Sequence, residues 1–277
     1  MSTAIATPTA PASRRFDHAR ASFANVIRSE WTKIWSVRST PWTLLILVVS
    51  TVGFGVLASW GTASNFSHLN AHDRATFDAT YTTMAGLTLG QLAIAVLGVL
   101  VVTTEYSTGG IKSTLTAVPN RMRVLAAKGV VFAIIATVVG MITAFVAFFV
   151  SAPIWAHYNL AVHLNDPGVL RAVIGSGLYV LASGLFGFAL GAILRHTAGA
   201  ITAAVGLLLV VPPLTQLLPG TWGHDITKVF TSNAGSMIAT TIPQDNRLGP
   251  WAGYFAMTIW WLVPLAIGAY LMRRRDA

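Results

Sequence analysis

Apolar residues fall along this chain in long unbroken blocks, not in the short alternation of a half-buried strand. Six stretches, at residues 42–60, 85–104, 130–155, 172–194, 198–218 and 251–272, contain no Asp, Glu, Lys or Arg. A hydrocarbon layer of roughly 30 Å is crossed by about 20 helical residues. Each block is therefore long enough to span. Lipid gives the backbone no hydrogen-bond partner, so spanning segments are helices or closed barrels, and barrel strands would read as about 10 residues of strict alternation. The pattern predicts an all-α integral membrane protein of six transmembrane helices.

Ahead of the first block the pattern changes. Between residues 21 and 40, Phe23, Val26, Ile27, Trp31, Ile34 and Trp35 recur three and four positions apart, while Arg20, Arg28, Lys33 and Arg38 lie mostly elsewhere on the wheel. This spacing predicts an amphipathic helix lying flat at the membrane interface, with Trp31 and Trp35 toward lipid, Lys33 and Arg38 toward headgroups, and Pro41 ending it. It can serve as an anchor or as a lever on the first span. Residues 1–20 have no block that could bury a core and are expected to form a disordered tail. Residues 41–277 then make the six-span domain.

Composition agrees with this frame: 54% of residues are hydrophobic and 10% are charged, against about 25% charged in a soluble domain. The net charge of +9 invites a nucleic-acid reading, but its distribution favours a membrane. With the N-terminus inside, fourteen of the 18 basic residues fall on the cytoplasmic side, leaving Arg74, Arg171, Lys228 and Arg247 outside. The inner side carries four acidic residues and the outer side five. Every loop obeys the positive-inside pattern, which places both termini in the cytoplasm. The chain has no cysteine, which excludes thiolate chemistry and disulfides.

The loop at 105–128 holds the most information. Ser107 or Thr108 can cap a short helix whose Ile111, Leu115 and Val118 make one apolar stripe, with Pro119 closing it. Such a helix at the inner face either docks a partner or packs beneath the bundle. Gly109, Gly110, Lys112 and Ser113 lack the spacing of a phosphate loop. Glu105 reads as a partner for nearby Lys or Arg rather than a proton carrier. In the spans, Thr88, Gln91, Thr202 and Gln216 are the polar groups expected along a translocation path or in interhelical hydrogen bonds. Gly86 and Gly90, and Ser183, Gly187 and Gly191, allow close helix approach within one subunit or between two. Pro212 and Pro213 are expected to kink or break the fifth helix near its outer end, freeing carbonyls for new partners. His68 and His72 stand four apart beside Asp73, but no third ligand is evident and no metal is expected. No nucleophile, base and acid converge in one span.

The run from Glu105 to Lys128, with its Glu-Tyr-Ser-Thr-Gly opening and Pro-Asn-Arg turn, resembles the loop of type-2 ABC transporter permeases. The Ser-Glu-Trp-Thr-Lys-Ile-Trp-Ser-Val-Arg-Ser-Thr stretch at 29–40 is similar to the first helix of that family, particularly in its actinobacterial members. So are Ser-Asn-Ala-Gly at 232–235, Gly-Pro-Trp-Ala-Gly at 249–253 and Arg-Arg-Arg-Asp-Ala at 273–277. The resemblance covers the chain from about residue 22 onward. It implies the permease subunit of an exporter in the bacterial cytoplasmic membrane, paired with a second permease subunit, as a homodimer, and with separate nucleotide-binding subunits. ATP and Mg²⁺ would sit on those partners, and this chain would bind no cofactor and be no enzyme. Glu105, Tyr106, Ser107, Thr108, Gly109, Ile111, Lys112, Leu115, Pro119 and Arg121 would be the coupling element. The connector at 219–250, with an apolar centre at 226–240, would form short helices dipping into the outer face. Other classes that fit are a non-transporting assembly or immunity protein and a secondary carrier. The lack of charge inside the spans counts against the carrier.

Overall fold

The computed structural model describes residues 22–118, 120–244 and 246–274, without the side chains of Lys112, Leu115 and Ala117. The expected tail at 1–20, together with Pro119 and Arg275, lies outside these residues. Among the described residues every regular element is helical. Six helices are long and apolar enough to cross a membrane: Ser39–Ser64, Ala79–Ser107, Arg121–His157, Val169–Leu194, Thr197–Thr215 and Pro250–Arg274, here the first to sixth spans. The chain is a multi-pass membrane protein.

The fourth span is the axis of the bundle. Of its most apolar window 72% is buried, against 28% in the first span and 17% in the sixth, so the outer spans leave most of their surface for lipid. Their exposed residues are lipid-compatible: Trp42, Ile46, Val49 and Leu57 in the first, Phe255, Ile259 and Val263 in the sixth. Without a hydrophobic drive between helices in lipid, close backbone approach supplies the packing energy. A Cβ on Gly187 would collide with the Ala95 carbonyl, and one on Gly86 with the Thr51 carbonyl. The glycine stripes therefore pack the second span against the fourth and the first within a single chain.

Three boundaries differ from the sequence pattern. The third span begins at Arg121, well before its apolar block, because the Asn120 side chain accepts from the Arg123 amide and caps it. Arg121, Arg123 and Lys128 thus belong to a helix and not to a loop. The amphipathic helix runs Phe23–Ser36 and ends in extended backbone at Val37. Pro41 does not end it; Pro41 sits in the first turn of Ser39–Ser64, where a missing N–H has no intrahelical partner to lose. The short helix is Gly110–Ala117, and its cap is Gly109 in the left-handed region at φ 73°, a conformation that glycine adopts freely. The hydroxyls of Ser107 and Thr108 donate instead to the Thr104 carbonyl at 3.1 and 2.7 Å, finishing the second span.

The fifth span is distorted just before the proline pair but is not broken by it. Its helix passes through a π turn at Gly206–Val210 before resuming at Val211–Thr215. Pro212 has no N–H to offer the carbonyls one turn back. Thr231 Oγ1 donates to the Leu207 carbonyl at 2.7 Å and Ser232 Oγ to the Leu208 carbonyl at 2.8 Å. Both hydroxyls come from the segment after the fifth span, which forms helices Gly220–Val229 and Thr231–Gly235 and a 3-10 turn Ser236–Ala239. The connector helices therefore start before the apolar centre at 226–240. Further hydrogen bonds pin the end of this segment. Asp78 Oδ2 accepts from the amides of Thr241 and Ile242 at 2.5 and 3.1 Å, and Arg171 donates to the carbonyls of Ile238 and Thr240 at 3.2 and 2.8 Å.

Candidate functional site

At the end of the bundle that carries the amphipathic helix, the periodicity divides into two faces. Val26, Glu30 and Ile34 are buried on the bundle side. Phe23, Trp31 and Trp35 are exposed, as is Arg38, and the two indole rings lie 6.2 Å apart. The apolar residues thus divide between a ridge facing the bundle and an exposed side, and the inward ridge contains an acid. Glu30 is 1% exposed.

That acid belongs to a cluster of four charges. Lys128 Nζ, from the third span, lies 2.5 Å from Glu30 Oε2 and 3.0 Å from Glu105 Oε1. Lys33 Nζ lies 2.7 Å from Glu30 Oε1 and 2.9 Å from Glu105 Oε1. Two cations and two anions alternate, so the cluster is neutral as a whole and each buried charge has an opposite one in contact. Glu105 Oε2 is buried and accepts no hydrogen bond among the described residues. Burial would lower the pKa of Lys33, but its hydrogen bonds and attraction to Glu30 and Glu105 outweigh that and raise it above the ordinary 10.5.

The cluster reaches the short helix through Lys33, whose ammonium also donates to Thr114 Oγ1 at 3.2 Å. Ile111 is buried at 6% exposure and anchors the same helix, while Ser113 and Thr116 are exposed. Of the residues expected in a coupling element, Glu105 and Ile111 meet the bundle directly. Ser107, Thr108 and Gly109 are exposed. Tyr106 is half-buried under the Arg195 guanidinium, 5.0 Å from its ring centre. Arg121 donates to the Met272 carbonyl at 3.3 Å, tying the third span to the end of the sixth. The side chains of Lys112 and Leu115, and Pro119, are outside the described residues. A cleft of about 340 Å³ opens between the amphipathic helix, the second span and the short helix, with Lys33, Glu105, Thr114 and Lys128 in its wall.

The opposite half of the bundle contains a second cavity, of about 320 Å³. Thr88, Gln91 and Gln216 all line it, together with Tyr179, Ser232 and Asn233. Thr202, the fourth residue expected on a path, does not line it; it is exposed on the fifth span before the π turn. Tyr179 Oη donates to Gln91 Oε1, and Gln91 Nε2 donates to the Thr88 carbonyl at 3.3 Å. Asn233 Nδ2 donates to the Pro212 carbonyl at 3.1 Å and to Thr215 Oγ1 at 3.2 Å, holding the cavity wall against the end of the fifth span. His68 and His72 lie in separate short helices, so their spacing makes no shared helical face.

Several of these residues were not singled out by sequence reasoning. Glu30 carried a signal, an acid midway between Val26 and Ile34 at four-residue steps. Lys128 had a weaker one, a lone cation at the start of an apolar block. Asp78 and Tyr179 had none, since their partners lie 163 and 88 residues away. No protein-family model matches the chain, and no curated protein is detectably similar to it.

Proposed function

We propose that this chain is the permease subunit of an ATP-driven exporter in a bacterial cytoplasmic membrane, with its basic end and both termini in the cytoplasm. In this reading two copies pair in the membrane, and a separate nucleotide-binding subunit docks on the short helix Gly110–Ala117. ATP and Mg²⁺ are handled by that partner, because the glycines at 109–110 precede Lys112 without phosphate-loop spacing.

The observation that carries the reading is the mounting of the short helix. Its outer side is exposed, while Ile111 and the Lys33–Thr114 bond fix it to a charge cluster shared by the amphipathic helix and the second and third spans. A push on this helix is transmitted to three elements at once, because a buried charge cannot move away from its partners at low cost. Rigid-body tilting of spans is the expected response, and it links partner closure to access at the polar cavity.

The test is ATP turnover. The isolated chain is expected to hydrolyse none, and a co-purified phosphate-loop ATPase is expected to be stimulated by it. Ile111→Asp is expected to abolish that stimulation while leaving the six-span fold intact. Turnover by the isolated chain, or undiminished stimulation by the Ile111→Asp chain, overturns the proposal.

A further inference from the structure

The amphipathic helix Phe23–Ser36 has one flank that the bundle leaves uncovered. Lys33 lies about 160° round the helix axis from Trp35, and its ammonium turns toward Thr114 of the short helix. The exposed indoles of Trp31 and Trp35 are therefore on the flank away from the short helix. Their surface continues into the first span, which starts at Ser39 directly after the turn at Val37 and Arg38. There Trp42, Leu45, Ile46 and Val49 are exposed on the side left to lipid. A helix joined to a span this closely has its end at the membrane boundary, and indoles are favoured at headgroup depth.

The charge on this flank has one sign. Lys33, expected among the headgroups, is instead taken into the charge cluster. Arg28 takes its place: it is exposed, and it stands three positions before Trp31 on the same side of the helix. Arg38 is exposed at the corner, three positions after Trp35. The only carboxylates at this end among the described residues are Glu30 and Glu105, and both are held inside the cluster by Lys33 and Lys128. No acid is left on the surface to offset the two guanidiniums. We infer that Arg28, Trp31, Trp35 and Arg38 form a binding surface selective for anionic phospholipid headgroups. The guanidiniums hold the phosphate with charge-assisted hydrogen bonds, and the indoles pack on the glycerol and upper acyl region beside it. A zwitterionic headgroup brings its own cation next to the arginines and gains less from them. The inference does not depend on the export reading.

The experiment uses the full chain in phosphatidylcholine bilayers, without nucleotide or partner. Phosphatidylglycerol or phosphatidylcholine brominated near the headgroup end of its acyl chains is added at matched mole fraction, and quenching of tryptophan emission is read. Subtracting the signal of a chain with Trp31→Phe and Trp35→Phe isolates the two indoles. Brominated phosphatidylglycerol is expected to compete for this site roughly tenfold better than brominated phosphatidylcholine, the scale set by two basic residues at an anionic surface. Arg28→Gln with Arg38→Gln is expected to bring the two lipids to parity while both still quench. Helicity should stay unchanged, since neither guanidinium bonds within the protein among the described residues. Arg273→Gln with Arg274→Gln, at the end of the sixth span, is expected to keep the preference. Equal quenching of the wild type by both lipids overturns the inference, as does a preference that survives loss of Arg28 and Arg38 or vanishes with Arg273 and Arg274. Absence of quenching by either lipid also overturns it and assigns the flank to a protein partner.

Discussion

Replacing Lys128 by methionine tests the charge cluster most directly. The substitution keeps a long unbranched side chain and removes one cation from a site where Glu30 is 1% exposed and Lys128 only 7%. Glu30 and Glu105 are left sharing the single ammonium of Lys33, which is 37% exposed. Breaking a buried pair by deleting one partner costs about 3–5 kcal/mol, because the surviving charge stays desolvated. Lys33→Met removes an ammonium that solvent already screens, and its pair is worth about 1 kcal/mol or less. The double variant Glu30→Gln with Lys128→Met restores neutrality and is expected to recover about 2 kcal/mol of the single-variant loss. Unfolding of the purified chain in mixed micelles of rising SDS content, followed by tryptophan emission, gives these three values and that of Glu30→Gln alone. A Lys128→Met chain no less stable than Lys33→Met would refute the reasoning. So would a double variant whose cost equals the sum of Glu30→Gln alone and Lys128→Met alone.

The remaining predictions concern pH and backbone. Because the pKa of Lys33 is raised in the fold, its contribution is fully present below the ordinary 10.5 and lost only as pH climbs through the higher folded value. The stability difference between wild type and Lys33→Met should therefore stay constant from pH 7 to 10 and shrink above that. Gly187→Val drives a side chain into the Ala95 carbonyl and is expected to cost about 3 kcal/mol or more, read as lost monodispersity after extraction. Ser232→Ala leaves the Leu208 carbonyl without its donor and is expected to destabilise by about 1–3 kcal/mol, seen in the same SDS titration. Asp78→Ala frees the amides of Thr241 and Ile242; hydrogen exchange there should accelerate while the span interiors stay protected.

What could be read from the sequence follows the range of each interaction. Six spans were legible because each block is continuous, and a missing hydrogen-bond partner in lipid leaves the backbone little choice but helix. A distortion of the fifth helix near Pro212 and Pro213 was legible for the same local reason, and it takes the form of a π turn, not a break. Its repair by Thr231 and Ser232 was not, since two hydroxyls in a connector carry no mark of their acceptors. The amphipathic helix was legible as a helix, but the role of Glu30 was not: its four-residue spacing from Val26 and Ile34 places it on the inward ridge, while the cation that makes it tolerable there, Lys128, stands nearly a hundred residues later. Short turns at the basic end were misread at the cap: Ser and Thr are the usual N-caps, yet Gly109 takes the left-handed turn that separates the two helices. Three of the four polar residues expected on a path converge on one cavity, and Thr202 falls outside it because the π turn separates it from the proline segment.

The borrowed hydroxyls of the fifth span bear on how this protein is made. An α-helix normally leaves the translocation machinery with its backbone already satisfied, but this one enters lipid with the carbonyls of Leu207 and Leu208 open. They close only when Thr231 and Ser232 have been synthesised and folded back. The fifth span and the connector behind it are thus a single unit of insertion, completed late in the chain, and a ribosome stalled between them would leave a helix that the bilayer holds poorly.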